Sequence, residues 1–277
     1  MKYIPLFSLV AACLFPIHSA VAGSNPRQPL ILAVSEGTSG SIDNAAAQTK
    51  YRPLADMIGK TLNRPVSIAF VREFAMLEEG MKKQQYDIVM ARPSDYPARG
   101  VHNYGYHFIA TAAPSGHCEL IVPKDSPLKS VKQLQGRYFI FPEKQAYMTR
   151  FCNAALRDEG IRLDDAHTYY VREQAVIPFS LEHGIADVGG VASYSGAYRK
   201  WQQAGQRILY ESPPQPYFPV IASDALDADQ RDKLQQVLLK LDSTPAGKSE
   251  LDVLAITGFV TSEQYRFDKL LNWLAID

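Results

Sequence analysis

Short runs of apolar residues alternate along this chain with longer segments in which apolar residues recur every three or four positions. Runs such as LILAVS (30–35) and YDIVMA (86–91) are typical of buried strands. Segments such as NAAAQTKYRPLADMIGKTL (44–62) have the period of a helix with one buried face. Strands that alternate with helices predict a parallel sheet covered by helices on both faces.

The same scheme occurs twice along the chain. The predicted strands are 30–35, 65–71, 86–91, 118–124, 136–142, 167–171 and 185–191. The predicted helices are 44–62, 73–84, 145–160, 173–184 and 193–205, followed by the C-terminal helices 227–243, 246–255 and 261–274. Two successive α/β units predict two lobes.

Two extended, apolar segments broken by Pro or Gly, 107–122 and 207–223, are expected to connect the lobes. The predicted division is lobe one from residues 24–112 plus 219–277, and lobe two from residues 113–218. Open α/β sheets bind ligands beyond the carboxyl ends of their strands. A two-strand hinge therefore predicts a cleft that closes between the lobes.

The amino-acid composition indicates the class of protein but not its function. The chain is 46% hydrophobic and 21% charged, which is typical of a globular protein. Lys plus Arg and Asp plus Glu are balanced at 29 each, so there is no basic excess of the kind that nucleic-acid binding uses.

The first residues have the pattern of a secretory signal. A basic residue, an apolar run and the small-residue sequence SAVA predict a signal peptide over residues 1–22 that is cleaved on export. A lipid anchor on Cys13 is the alternative. We therefore expect an exported, periplasmic protein.

Cys118 and Cys152 remain after such a cleavage. In an oxidising compartment they predict one disulfide, and two buried free thiols are the alternative. No metal site is expected, since His102, His107 and His117 lack the spacing of metal ligands.

The chain lacks the familiar enzyme motifs for a nucleophilic serine, a phosphate-binding loop or a zinc protease. It instead places polar and aromatic residues at predicted strand ends, where hydroxyls, cations and helix N-termini suit an oxyanion. The candidate ligand-binding residues are Ser39, Phe74, Arg92, Ser94, Tyr96, Lys144, Gln145, Arg172, Ser193 and Tyr194. An enzyme that uses the cleft is the weaker interpretation.

Six segments in order resemble the PhnD-like phosphate, phosphite and phosphonate-binding proteins of ABC importers. They are YRPLADMIGKTLNRPVSIAFV, EEGMKKQQYDIVMARPSDY, CELIVPKDSPLKSVKQLQGRYFIFP, HGIADVGGVASYSGAY, ILYESPPQPYFPVIAS and GKSELDVLAITGFVTSEQY. The resemblance implies a two-lobed periplasmic binding protein fold of type II-like organisation. It also implies a non-enzymatic receptor that delivers a small ligand to a membrane permease. We expect this receptor to be a monomer without a cofactor and its ligand to be anionic.

The resemblance also suggests roles for individual residues. Ser94 and Tyr96 match positions where the family contacts ligand, and Ser193 and Tyr194 stand at the matching turn of lobe two. Glu143, Lys144 and Gln145 replace a turn that is usually rich in Ser and Thr.

Two further positions depart from the family pattern. Phe74 replaces an aromatic residue that carries a hydroxyl, and Arg172 and Glu173 stand near a usual His.

A carboxylate beside a bound phosphonate would be repelled. Either Glu143 therefore turns outward, or the ligand carries a positive group, or the ligand is not a phosphonate. Arg92 is expected either to face the cleft or to pair with a carboxylate such as Glu143. A role as the ligand-sensing partner of a membrane signalling protein is the alternative to transport.

Overall fold

The computed structural model describes residues 28–36, 43–144 and 146–276. The predicted signal peptide, with the alternative anchor at Cys13, lies outside the described residues. The candidate ligand residues Ser39 and Gln145 also lie outside them.

Strands and helices alternate through most of the chain. The strands are β1 (Leu30–Ser35), β2 (Val66–Phe70), β3 (Ile88–Ala91), β4 (Tyr106–Gly116), β5 (Cys118–Val122), β6 (Phe139–Pro142), β7 (Thr168–Val171), β8 (Val188–Ala192), β9 (Arg207–Glu211), β10 (Gln215–Ser223) and β11 (Gly258–Val260). The α-helices are α1 (Asn44–Leu62), α2 (Phe74–Lys82), α3 (Asp95–Asn103), α4 (Tyr147–Asp158), α5 (Val176–Glu182), α6 (Gly196–Gln203), α7 (Ala228–Leu239), α8 (Pro245–Leu254) and α9 (Gln264–Leu274).

The strands form two mixed sheets. Sheet one has the order β11-β4-β10-β3-β1-β2, in which β1 is parallel to β2 and β3 while β10 is antiparallel to β3 and β4. Sheet two has the order β7-β6-β8-β5-β9, in which β6 is parallel to β7 and β8 while β5 is antiparallel to β8 and β9. The α/β class is therefore confirmed.

The two extended segments predicted to connect the lobes run between the sheets. The chain leaves sheet one at the end of β4 and enters sheet two in β5, with only His117 between them. It returns from β9 to β10 across residues 212–214. These connections bring the carboxyl ends of β1, β3, β6 and β8 towards one another.

Helix α1 is fixed at both ends and along one face. Asp43 caps it by accepting a hydrogen bond from the Ala46 amide at 2.8 Å, and Asn63 ends it in the left-handed conformation with φ 50°. Its buried residues recur every three or four positions: Ala47, Tyr51, Leu54, Ala55, Ile58 and Leu62. This packing brings Lys50 and Tyr51 to the end of β1.

A disulfide joins Cys118 at the start of β5 to Cys152 in α4, which confirms the predicted pairing. Both residues are fully buried. A Cβ atom on Gly190 of the neighbouring strand β8 would lie 3.0 Å from the Cys152 sulfur and 2.2 Å from Phe141. Only glycine therefore fits between this disulfide and the aromatic core of sheet two.

Two general properties hold for the part of the chain that the structure describes. None of its helices is both long and apolar enough to cross a bilayer. No group of three or more His, Cys, Asp or Glu side chains is arranged there to hold a metal ion.

Glu119 is a buried carboxyl on β5 whose protonation depends on the fold. Burial raises its pKa to about 7, and Glu211, its partner opposite on β9, adds to the shift while a hydrogen bond from Tyr198 opposes it. A raised pKa contributes stability that is present below the ordinary value of 4.5 and is lost as the pH rises through about 7.

We therefore expect Glu119→Gln to raise the free energy of unfolding at about pH 8 by about 1–3 kcal/mol and to flatten its decline with rising pH. Urea denaturation across the pH range measures this. Glu182→Gln, at an exposed position on α5, is the matched control and should leave the profile unchanged. The same decline in Glu119→Gln as in the native protein would contradict this assignment.

Candidate functional site

The cleft between the two sheets is built from the ends of their strands and the helices that follow. Sheet one contributes the residues after β1 and β3, and the middle of β10. Sheet two contributes the turn after β8 and the first residue of α4. Three aromatic residues, Tyr147, Tyr194 and Tyr217, close the space between these elements.

Glu36 and Arg92 form a buried ion pair at the sheet-one side of this cleft. The Arg92 Nη2 atom lies 2.9 Å from Glu36 Oε2, and Arg92 Nε donates to the Glu36 carbonyl at 3.0 Å. Lys50 at 2.7 Å and the Tyr51 hydroxyl at 2.6 Å bind the other carboxylate oxygen. Burial would raise the pKa of Glu36, but these hydrogen bonds and the Arg92 charge outweigh it and hold the pKa below its usual value.

The Arg92 guanidinium also lies among aromatic rings. Its carbon is 5.2 Å from the centre of the Phe218 ring, 5.7 Å from Tyr217 and 5.9 Å from Tyr194, and it donates a hydrogen bond to the Tyr217 hydroxyl. The Tyr194 ring, which follows β8 of sheet two, stacks on Tyr217 of sheet one with centres 4.3 Å apart. Cation–π contacts of this kind are stronger where water is excluded.

Helices α3 and α4 begin close to the same place. Ser94, the residue before α3, is buried and donates to the Pro216 carbonyl at 2.8 Å instead of capping its own helix. Tyr147 at the start of α4 is buried, and its hydroxyl has no hydrogen-bond partner among the described residues. Its pKa is raised by burial and by the neighbouring Tyr194 and Asp95. Because helix N-termini carry partial positive charge, this region favours a negative ligand.

Phe74 and Tyr96 form the outer part of the sheet-one side. Their rings stack with centres 5.1 Å apart, and Arg99 lies 5.3 Å from the centre of the Tyr96 ring. Both aromatic residues are half-buried. This pair offers an apolar surface next to the Ser94 turn.

Three predicted ligand residues lie elsewhere or are already engaged. Lys144 is 57% exposed and pairs with Asp165 at 2.6 Å, and Arg172 is exposed after β7. Ser193 accepts a hydrogen bond from the His117 amide at 3.0 Å and so ties the β8 turn to the crossing from sheet one.

Glu143 is exposed. It is therefore not the carboxylate that pairs with Arg92.

The structure brings four further residues to this region: Glu36, Asp95, Tyr147 and Tyr217. Glu36 directly follows β1, and a residue after a buried strand is a recognisable signal. Asp95 has the pattern of an ordinary acidic residue in the first turn of a helix, and Tyr217 lies inside an apolar crossing strand. Only tertiary contacts identify those two.

These residues are suited to binding. Buried hydroxyls, one partly neutralised guanidinium and stacked aromatic rings can orient a small polar solute and exclude water around it. The described part of the cleft holds no hydroxyl or thiol paired with a histidine base in the way that nucleophilic catalysis requires. The geometry therefore favours recognition.

Comparison with solved structures identifies proteins of similar fold. A Xanthomonas citri protein bound to ATP superposes with a TM-score of 0.68 at 16% identity, covering 88% of this chain and 97% of that one. PhnD1 from Prochlorococcus marinus in complex with methylphosphonate gives 0.63 at 14% identity, with 89% and 97% covered. The periplasmic aliphatic sulphonate binding protein SsuA from Escherichia coli gives 0.58 at 15% identity, with 82% and 78% covered.

Sequence comparison is more specific about the family. A search of curated proteins finds no match. A family model described as ABC transporter, phosphonate, periplasmic substrate-binding protein matches residues 40–266. The chain therefore belongs to the family of periplasmic substrate-binding proteins of phosphonate ABC transporters.

Proposed function

We propose that this protein is a monomeric receptor that binds a small, phosphonate-like oxyanion in the cleft between its sheets and delivers it to an ABC permease. In this proposal residues 24–112 plus 219–277 and residues 113–218 are the two lobes, and residues 1–22 direct export. The protein acts without a cofactor and without catalysis. The family match supports transport over the sensing alternative.

One contact supports this proposal most strongly. Tyr194 after β8 stacks on Tyr217 of β10, and Arg92 lies against both rings. Elements of both sheets thus meet around one guanidinium. A solute held there touches both lobes, so its binding energy favours the closed arrangement.

The ligands of solved proteins with similar folds support an anionic solute. The solved relatives are described with ATP, methylphosphonate and aliphatic sulphonate, which all present tetrahedral oxyanions of phosphorus or sulfur. In this chain the N-termini of α3 and α4 and the Arg92 guanidinium supply complementary partial and full positive charge. Glu143 is exposed, so the repulsion expected from its position does not arise.

Titration calorimetry with methylphosphonate tests the site. Tyr194→Ala should weaken binding by about tenfold, because it removes a ring that covers Arg92 and contacts the opposite lobe. Tyr265→Ala, which truncates an exposed tyrosine on α9, is the control and should bind as the native protein does. Equal affinity of Tyr194→Ala and the native protein would place the ligand elsewhere.

A further inference from the structure

Asp95 is a buried carboxyl on the sheet-one side of the cleft. The residue is 5% exposed, and no other described residue donates a hydrogen bond to its Oδ1 atom. Its Oδ2 atom lies 3.9 Å from Arg99 one turn further along α3. A buried carboxylate oxygen without a partner is costly, so it points to a missing donor.

Charged and titratable groups from four elements surround this carboxyl. Arg99 lies on α3 itself, Glu78 on α2, and Arg150 and Tyr147 on α4 of the opposite sheet. Tyr194 after β8 and the adjacent Tyr96 also interact with it. Asp95 therefore faces the second lobe as well as its own.

These neighbours leave the carboxyl ionised at neutral pH. Burial raises the pKa of Asp95 to about 6, although the charges of Arg99 and Arg150 oppose the shift. Above that pH the side chain accepts hydrogen bonds and cannot donate them. A fully ionised oxyanion at about 4 Å from it would be repelled by roughly 4 kcal/mol.

We propose that Asp95 selects a protonated ligand, with its Oδ1 atom accepting a hydrogen bond from the P–OH group of a phosphonate monoanion. The inference rests on the proposed function and adds the ionisation state of the ligand to it. A sulfonate has the same tetrahedral shape but carries no proton, so it meets repulsion in place of a hydrogen bond. Asp95 thus discriminates between a phosphonate and a sulfonate, which Arg92 and the helix N-termini attract equally.

Calorimetric titration of methylphosphonate and methanesulfonate against the native protein, Asp95→Asn and Asp229→Asn tests this proposal. At neutral pH the native protein should prefer methylphosphonate by about ten- to a hundredfold, the range of one hydrogen bond to a charged group. Asp95→Asn should lose that preference, because its amide can donate to the sulfonate. Asp229→Asn, an exposed first-turn position on α7, should keep it.

A second readout uses the native protein alone. Its affinity for methanesulfonate should rise as the pH falls through about 6, because protonated Asp95 then donates to the sulfonate. Asp95→Asn should show no such rise.

The outcomes separate the two proposals. The role of Asp95 is overturned if folded Asp95→Asn keeps the native preference for methylphosphonate. It is also overturned if the affinity of the native protein for methanesulfonate does not change with pH. Either result leaves the receptor function intact. Failure of the native protein to bind either probe overturns both.

Discussion

Replacing Arg92 with Met is expected to lower the free energy of unfolding by about 3 kcal/mol and to remove methylphosphonate binding. The Glu36 carboxylate is 4% exposed, so loss of the guanidinium removes a cation that balances its buried charge. Lys50 and Tyr51 still bind one carboxylate oxygen, which limits the cost. Binding is lost because the cation beneath Tyr194 and Tyr217 is gone.

Chemical denaturation and calorimetry on the same samples measure both effects. Arg172→Met, at an exposed position directly after β7, is the matched control and should change stability by less than about 0.5 kcal/mol. The double variant Arg92→Met with Glu36→Gln should regain stability without regaining affinity. If Arg92→Met were as stable as the control, the ion pair would not support the cleft.

Removing the disulfide with Cys118→Ala and Cys152→Ala together is expected to lower the free energy of unfolding by about 3–4 kcal/mol. The bond closes a loop with a sequence separation of 34 residues, and opening it increases the freedom of the unfolded chain. Both cysteines are fully buried between β5 and α4, so their replacement also leaves a small cavity.

The same double variant should bind methylphosphonate with nearly native affinity. Cys118 lies in β5 of sheet two and Cys152 in α4, which packs on that sheet, so the bond ties the helix to the sheet and leaves the connections between the sheets free. Reduction of the native protein by dithiothreitol, followed by urea denaturation, provides an independent comparison. Unchanged stability after complete reduction, verified by thiol titration, would contradict a stabilising role for the bond.

Local sequence patterns predicted most of the fold. The parallel strands β1, β2 and β3 are apolar runs separated by amphipathic helices, so periodicity alone identifies them. Strand β11 has only three residues, Gly258–Val260, and pairs with β4 from a distant part of the chain. So short a run has no period to detect, and its pairing depends on tertiary contacts.

One sequence signal for the candidate site is a position directly after a buried strand. Arg92 and Tyr194 follow β3 and β8, and the structure brings both to the same contact. Lys144 also follows a strand, but it pairs with Asp165 and lies exposed. Sequence position identifies the end of a strand, whereas the direction of a long side chain depends on partners far along the chain, such as Tyr217 for Arg92.

Asp95 could not be recognised as a cleft residue from the sequence either. An acidic residue in the first turn of a helix is common and is favoured by the helix dipole, so its identity alone predicts nothing unusual. Only the opposing helix α4, more than fifty residues away, makes it a buried group within a cleft.

A crystal structure of the protein grown with methylphosphonate is the most direct test of the central claim. Difference density for the ligand is expected between Tyr194 and Tyr147 on one side and Arg92 and Asp95 on the other. An empty cleft at a ligand concentration that saturates binding in solution, or ligand density at another surface, would contradict it.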